Sequence, residues 1–174
     1  MARYIAFLRS INVGGHVLKM DTLRDLFTEL KFSNVETFIA SGNVIFETKS
    51  ASVEKKIERH LEKALGYQVG TFVRSIDEVQ AISVHPAFPP EAVKGAFAVH
   101  VAMMRRALTP AEIAQAKSCL TETDDCHFEG RELYWLCRIP TNESKFPNKF
   151  AKIAGSDLTY RNINTIVRLA KKYA

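Results

Sequence analysis

Residues 35–48 read Val35-Glu36-Thr37-Phe38-Ile39-Ala40-Ser41-Gly42-Asn43-Val44-Ile45-Phe46-Glu47-Thr48. Two β-rich runs, Val35 to Ala40 and Val44 to Thr48, flank Ser41-Gly42-Asn43, and a glycine-led turn between such runs signals a hairpin. Gly42-Asn43 fits a two-residue loop with glycine first. The segments on either side decide which sheet this hairpin joins. Upstream, Leu23, Leu26, Phe27 and Leu30 recur at i, i+3, i+4 and i+7, the stripe of an amphipathic helix. Before it, Arg3 to Ser10 is apolar and β-rich. Downstream, Val53, Ile57, Leu61 and Leu65 make a second helical stripe that Gly66 is placed to end. Tyr67 to Arg74 is then a fourth strand. A hairpin set between two helices, with a strand at each end, is the order βαββαβ of a ferredoxin-like unit. Ser75-Ile76-Asp77-Glu78 is a capping box opening one more short helix.

The order recurs. Ala96 to Met104 reads as a strand, and Thr109-Pro110-Ala111-Glu112 as a capping box with proline at the first helical position. Cys126 to Glu129 and Glu132 to Cys137 form a hairpin around Gly130. Phe146, Phe150 and Ile153 mark a helix ended by Gly155, Asp157 to Tyr160 a short strand, and Ile163, Ile166, Val167 and Ala170 a last helical stripe. Phe72-Val73-Arg74-Ser75-Ile76 aligns with Thr159-Tyr160-Arg161-Asn162-Ile163, each a strand, an arginine, an N-cap residue and an apolar first turn. The predicted fold class is therefore α+β, with two ferredoxin-like (βαββαβ) subdomains related by internal duplication. The predicted halves span 1–84 and 96–174, the second including the C-terminal helix. His85-Pro86-Ala87-Phe88-Pro89-Pro90 opens a linker over 85–95.

With 174 residues, 47% hydrophobic and 25% charged, the chain can build proper cores. No run approaches the ~18 apolar residues of a membrane helix, so no membrane partner is expected. The apolar stretch before Arg9 is too short for a signal-peptide core, which predicts a cytoplasmic location. Cys119, Cys126 and Cys137 are odd in number and lack C-x-x-C spacing, which argues for free thiols. From Lys145 onward seven cations stand against Asp157 alone, in a chain of net charge +5. Such a segment can attract phosphate ligands, nucleic acid or acidic partners, or can be a solvated surface.

Two polar segments could carry chemistry: Arg9-Ser10-Ile11-Asn12-Val13-Gly14-Gly15-His16 and the Ser41-Gly42-Asn43 turn. In a βαββαβ unit the first two strands run in the same direction, so the loop leaving the first and the hairpin leaving the second lie at one end of the sheet. The first helix begins there too, and its free N–H groups favour an anion. The predicted ligand-binding set is Arg9, Asn12, Gly14, Gly15, His16, Lys19, Ser41 and Asn43; read structurally, the same glycines and asparagines only make turns. Arg161, Asn162, Asn164 and Thr165 form a secondary set that can equally be helix capping. His16, His60, His85, His100 and His127 show no metal spacing, and adjacent Cys126 and His127 would face opposite ways in a strand, so no metal and no cofactor is predicted. Asp124-Asp125 reads as solvated surface. No nucleophile motif names a catalytic residue.

At these motifs the sequence resembles the bacterial family catalogued as domain of unknown function 1697. The opening Tyr4 to Gly15, the Ser41 to Phe46 hairpin and Arg161 to Thr165 carry the resemblance, which spans nearly the whole chain. The family usually has glycine where Ser10 stands and tryptophan where Ile163 stands. It implies a two-subdomain α+β fold and assigns no catalytic residue. The leading functional expectation is a protein binding a small molecule or anion, as an enzyme or otherwise, at the loop end of the first half. The alternative is nucleic-acid binding through the basic C-terminal segment, with Tyr134 and Trp135 facing opposite ways. A third reading is an interaction module that pairs through its sheet edges.

Overall fold

The computed structural model describes residues 1–12, 14–155 and 157–174; Val13, inside the first loop motif, lies outside them. The chain divides into two units, one of Met1–Ile82 with Leu169–Ala174 and one of Ser83–Arg168.

In the first unit, β1 (Ala2–Arg9), α1 (Met20–Glu29), β2 (Ser33–Phe38), β3 (Asn43–Thr48), α2 (Glu54–Leu65) and β4 (Gly70–Ser75) give a four-stranded sheet in the order β2-β3-β1-β4, with α3 (Ile76–Val84) following. Every neighbouring pair is antiparallel, so β1 and β2 share a direction and their outgoing loops share an end. This is the ferredoxin-like order. The two stripes bury where their spacing puts them: Leu23, Leu26 and Phe27 from α1, its C-cap Leu30, and Ile57 and Leu61 from α2 pack with Ala6, Leu8, Val44, Phe46 and Val73 from the sheet. Phe46 anchors this core, its ring stacked on Phe32 at 4.6 Å and edge-on to Phe27 at 5.6 Å. Burying one such ring is worth about 2–3 kcal/mol. Gly66 ends α2 in the left-handed region, φ 81°, as its position predicts.

Two local details differ from the sequence reading. Phe38 pairs with Asn43, so the hairpin loop is the four residues Ile39-Ala40-Ser41-Gly42, and Asn43 opens the strand. The cause is Asn43 itself: fully buried, its amide donates to the Phe38 carbonyl at 3.1 Å and to Ser41 Oγ at 2.7 Å, closing the turn from inside. The outer strand β4 is also not an open edge. The Val73 and Thr71 N–H groups each donate, at 2.9 Å, to Glu54 and Glu58 on α2, which blunts pairing with another chain.

The second unit repeats the plan after α4 (Pro90–Lys94), which falls in the stretch read as linker. Its elements are β5 (Ala98–Met104), α5 (Pro110–Ser118), β6 (Asp124–Glu129), β7 (Glu132–Cys137), α6 (Phe146–Ala154), β8 (Leu158–Asn162) and α7 (Ile163–Tyr173), with a 3-10 turn at Thr141–Glu143. The sheet order β6-β7-β5-β8 matches the first unit strand for strand. Both capping boxes form: Ser75 with Glu78, and Thr109 with Glu112. The last residues of α7 belong with the first unit, where the Tyr173 hydroxyl donates to Glu36 Oε2 at 2.9 Å and Arg3 donates to the Tyr173 carbonyl. Among the described residues no helix is long and apolar enough to cross a membrane.

The registers make the duplication exact enough to number. Arg74 lies opposite Ile5, and Arg161 opposite Val101. Both arginines are buried, and each donates to the carbonyl of the residue before it, Val73 at 3.0 Å and Tyr160 at 2.8 Å. Carried along the strands, this equivalence sets Arg9 against Arg105 and Gly70 against Asp157.

Candidate functional site

The loop from β1 to α1 is closed on itself. Asn12 Oδ1 accepts the Leu18 N–H at 2.9 Å, which draws Lys19, the residue before α1, back toward the end of β1. Ile11 is buried, and its carbonyl accepts the Tyr67 hydroxyl at 3.1 Å; the His16 ring stacks on Tyr67 at 4.1 Å. Gly14 and Gly15 take φ values of 65° and 83°, open to glycine at no steric cost. The hairpin meets this loop, with the Leu8 N–H donating to the Gly42 carbonyl at 2.8 Å. Thus Arg9, Asn12, Gly14, Gly15, His16 and Lys19 share one loop, and Ser41 and Asn43 lie at the same end of the sheet.

Their roles differ. Asn12, His16, Ser41 and Asn43 spend their polar or ring contacts on holding the turns. Arg9 and Lys19 make no ion pair among the described residues. The α1 N-terminus has no side-chain cap hydrogen bond at Lys19 either.

Ser10 sits at φ 64°, in the left-handed region, which gives a physical reason for a glycine at this position. A residue with a Cβ pays roughly 1 kcal/mol there. Ser10→Gly is expected to raise stability by about 0.5 kcal/mol, after the added flexibility of the unfolded chain is counted. A small upward shift of the urea midpoint checks it, and a downward shift would show that the Ser10 side chain is needed.

The secondary set is structural where its bonds are visible. Arg161 is buried and donates to Thr159 Oγ1 at 2.9 Å; burial lowers its pKa to about 10. Asn162 Oδ1 accepts the Asn164 N–H at 2.9 Å, capping the start of α7. Thr165 is half-buried on that helix.

Asp124 corrects the sequence reading. It is 5% exposed and accepts four hydrogen bonds: Trp135 Nε1 and Ser144 Oγ at 2.8 Å, Thr121 Oγ1 at 2.7 Å and Thr123 Oγ1 at 3.0 Å. Burial alone would raise its pKa, but the donors outweigh it and hold the carboxyl below its ordinary value. Trp135 and Tyr134 are each 2% exposed, so both are core and neither offers a face for base stacking.

The histidines hold a second surprise. His85 and His127 are 42 residues apart in sequence, yet their Nε2 atoms lie 2.9 Å apart. Glu129 Oε2 is 4.0 Å from His127 Nε2. The cue present in the sequence was His127-x-Glu129, two side chains on one face of β6.

The β1–α1 loop in its sheet defines a duplicated ferredoxin-like α+β protein with a cationic loop end. The chain belongs to the family described as proteins of unknown function, DUF1697, whose family model matches residues 1–134. A conserved bacterial protein, SP0830 from Streptococcus pneumoniae, has a similar structure: the TM-score is 0.71 at 23% identity, covering 98% of this chain and 97% of that one. At that identity the likeness concerns the fold. No curated protein sequence matches the chain.

Proposed function

We propose that the protein binds a small phosphate- or carboxylate-bearing ligand at the β1–α1 loop of the first unit, in the cytoplasm, where its three free thiols suit a reducing setting. The observation that carries this reading is the contrast between the two halves. In the second unit Arg105, the residue after β5, takes the place that Arg9 has at the end of β1, and it is paired with Asp157. The next residue, Arg106, is paired with Glu112 at 2.8 Å, and the resulting cleft of about 340 Å³, lined by Met104, Leu108 and Ala154, has its cations already neutralised. In the first unit the place of Asp157 is taken by Gly70, which stands opposite Arg9 and offers no carboxylate. The same architecture thus pairs its arginine with a carboxylate in one half and, among the described residues, leaves it without one in the other. Lys19 and the uncapped N–H groups of α1 add positive potential beside it.

A thermal-shift screen over inorganic phosphates, nucleotides and carboxylates tests this. A ligand at 100 times its Kd stabilises by about 2.7 kcal/mol, a rise of several degrees. Arg9→Ala should lose that rise and leave the unliganded melting temperature nearly unchanged, because half-buried Arg9 makes no ion pair among the described residues for the substitution to break. A ligand that shifts wild type and Arg9→Ala equally binds somewhere else.

A second reading, nucleic-acid binding, is favoured by one observation. Lys145, at the N-cap of α6, and Lys149 and Lys152 on it follow i, i+4 and i+7; all three are exposed while Phe146 and Phe150 are buried, and none makes an ion pair among the described residues. If this face holds phosphates, affinity falls steeply with salt, and each Lys→Ala change lowers the log–log salt slope by about 1. Absence of binding at low salt eliminates this reading.

A further inference from the structure

We propose that His85, His127 and Glu129 form a binding site for a divalent transition-metal cation, with Zn²⁺ the best match, in the second unit and independent of the anion loop. The ligand atoms, two imidazole Nε2 and one carboxylate oxygen, all lie within 4.8 Å of one another. Their positions come from three separate features of the fold. His127 and Glu129 are two residues apart on β6, so they project from one face of the hairpin. His85 arrives from the segment after α3, where the Ala87 N–H returns to the His85 carbonyl at 2.9 Å. Its ring is then backed by the buried Tyr134, stacked at 5.1 Å, and Tyr134 is the strand partner of His127.

A 2.9 Å approach of two Nε2 atoms is possible for a neutral pair sharing one proton. Two protonated rings would repel. A cation offers both lone pairs a common partner. With Zn–N bonds of ~2.05 Å at a tetrahedral angle, the two nitrogens sit about 3.3 Å apart, which the pair reaches by opening a few tenths of an ångström. Glu129, whose side chain is 62% exposed, supplies a carboxylate from the solvent side and leaves a fourth position for water. Two imidazoles and one carboxylate suit zinc, and also cobalt or ferrous iron; oxygen-seeking Mg²⁺ and Ca²⁺ prefer other donors.

The experiment is calorimetric titration of the chelator-treated full-length protein with ZnCl₂, followed by CoCl₂ with the visible spectrum recorded. Wild type should take up one Zn²⁺ per chain, and Co²⁺ should give the intense bands of four-coordinate cobalt. MgCl₂ should give no heat. His127→Ala and His85→Ala should lose the site. Glu129→Gln changes an exposed residue, so the fold is kept, and its affinity should fall at least tenfold. Failure of wild type to bind Zn²⁺ stoichiometrically overturns the proposal. So does a site whose affinity is the same in wild type, Glu129→Gln and His127→Ala.

Discussion

Asp124→Ala is expected to cost the protein about 3 kcal/mol, among the largest single effects in the chain. The substitution removes an ionised acceptor from four donors, and the indole N–H of Trp135 is left buried with nothing to accept it. A hydrogen bond to a charged group contributes about 1.5–3 kcal/mol, and an orphaned buried donor costs about 1–3 kcal/mol. Thr121, Thr123 and Ser144 can turn their hydroxyls toward water or backbone, so the loss does not multiply by four. The chain has one tryptophan, and it is the residue that contacts Asp124. Its fluorescence therefore reports urea unfolding at the site of the change. An unchanged midpoint would mean that water replaces the carboxylate fully. A pH series separates charge from shape. The folded carboxyl titrates below its ordinary value of 3.8. Its contribution is therefore complete above that value and is lost as pH falls through the lower, folded pKa. The stability gap between wild type and Asp124→Asn should be constant at neutral pH and shrink in acid below about pH 4. A gap that widens in acid would reverse the sign and refute the assignment.

Gly42→Val is expected to destabilise the first unit by about 3 kcal/mol, through two costs that arise together. Gly42 has φ 74°, where a β-branched residue is strained by about 1–3 kcal/mol. A Cβ there would also stand 2.8 Å from Ile11 Cδ1 and 3.2 Å from Leu8 Cβ. Ile11 is 4% exposed and Leu8 2%; the Ile11 contact is a terminal methyl that can rotate within the core, whereas Leu8 Cβ is fixed to the backbone of β1. Overpacking of this kind adds about 1–3 kcal/mol when it cannot relax, and the two terms overlap because a shift of the hairpin relieves both. Gly42→Ala should lie between wild type and Gly42→Val. Urea unfolding followed by circular dichroism measures the series; equal midpoints for all three would show that the hairpin does not press on the β1–α1 loop.

The element order was legible because each element's period is local. The α1 and α2 stripes, the two capping boxes and the Gly66 stop all depend on residues within about two turns of one another. The misread features depend on distant partners. Asn43 looked like a turn residue, and its burial is set by the strands around it. Asp124-Asp125 looked solvated because acidic pairs commonly are. The partners of Asp124 are drawn from Thr121, Thr123, Trp135 and Ser144, which only the folded hairpin assembles. His85 and His127 could not be paired without the path of the chain between them. The composition of the candidate loop was readable, but the contrast that gives Arg9 its significance was not. It needs the strand registers that set Arg9 opposite Gly70 and Arg105 beside Asp157.

That contrast also supplies the most direct test of anion binding at the β1–α1 loop. Gly70→Asp installs in the first unit the carboxylate that the second already carries. Gly70 is not in the left-handed region, and a Cβ there meets Arg9 Cβ and Phe72 Cε2 at 3.5 Å, ordinary contact distances. The variant should therefore fold, with Gly70→Asn as its uncharged control. For the strongest hit of the screen, binding is measured by calorimetry and by the amide NMR shifts of residues 14–19. Wild type and Gly70→Asn should bind with similar affinity and move those amides, and Gly70→Asp should bind at least tenfold more weakly. Equal affinity in wild type and Gly70→Asp, or shifts confined to residues outside this loop, would contradict it.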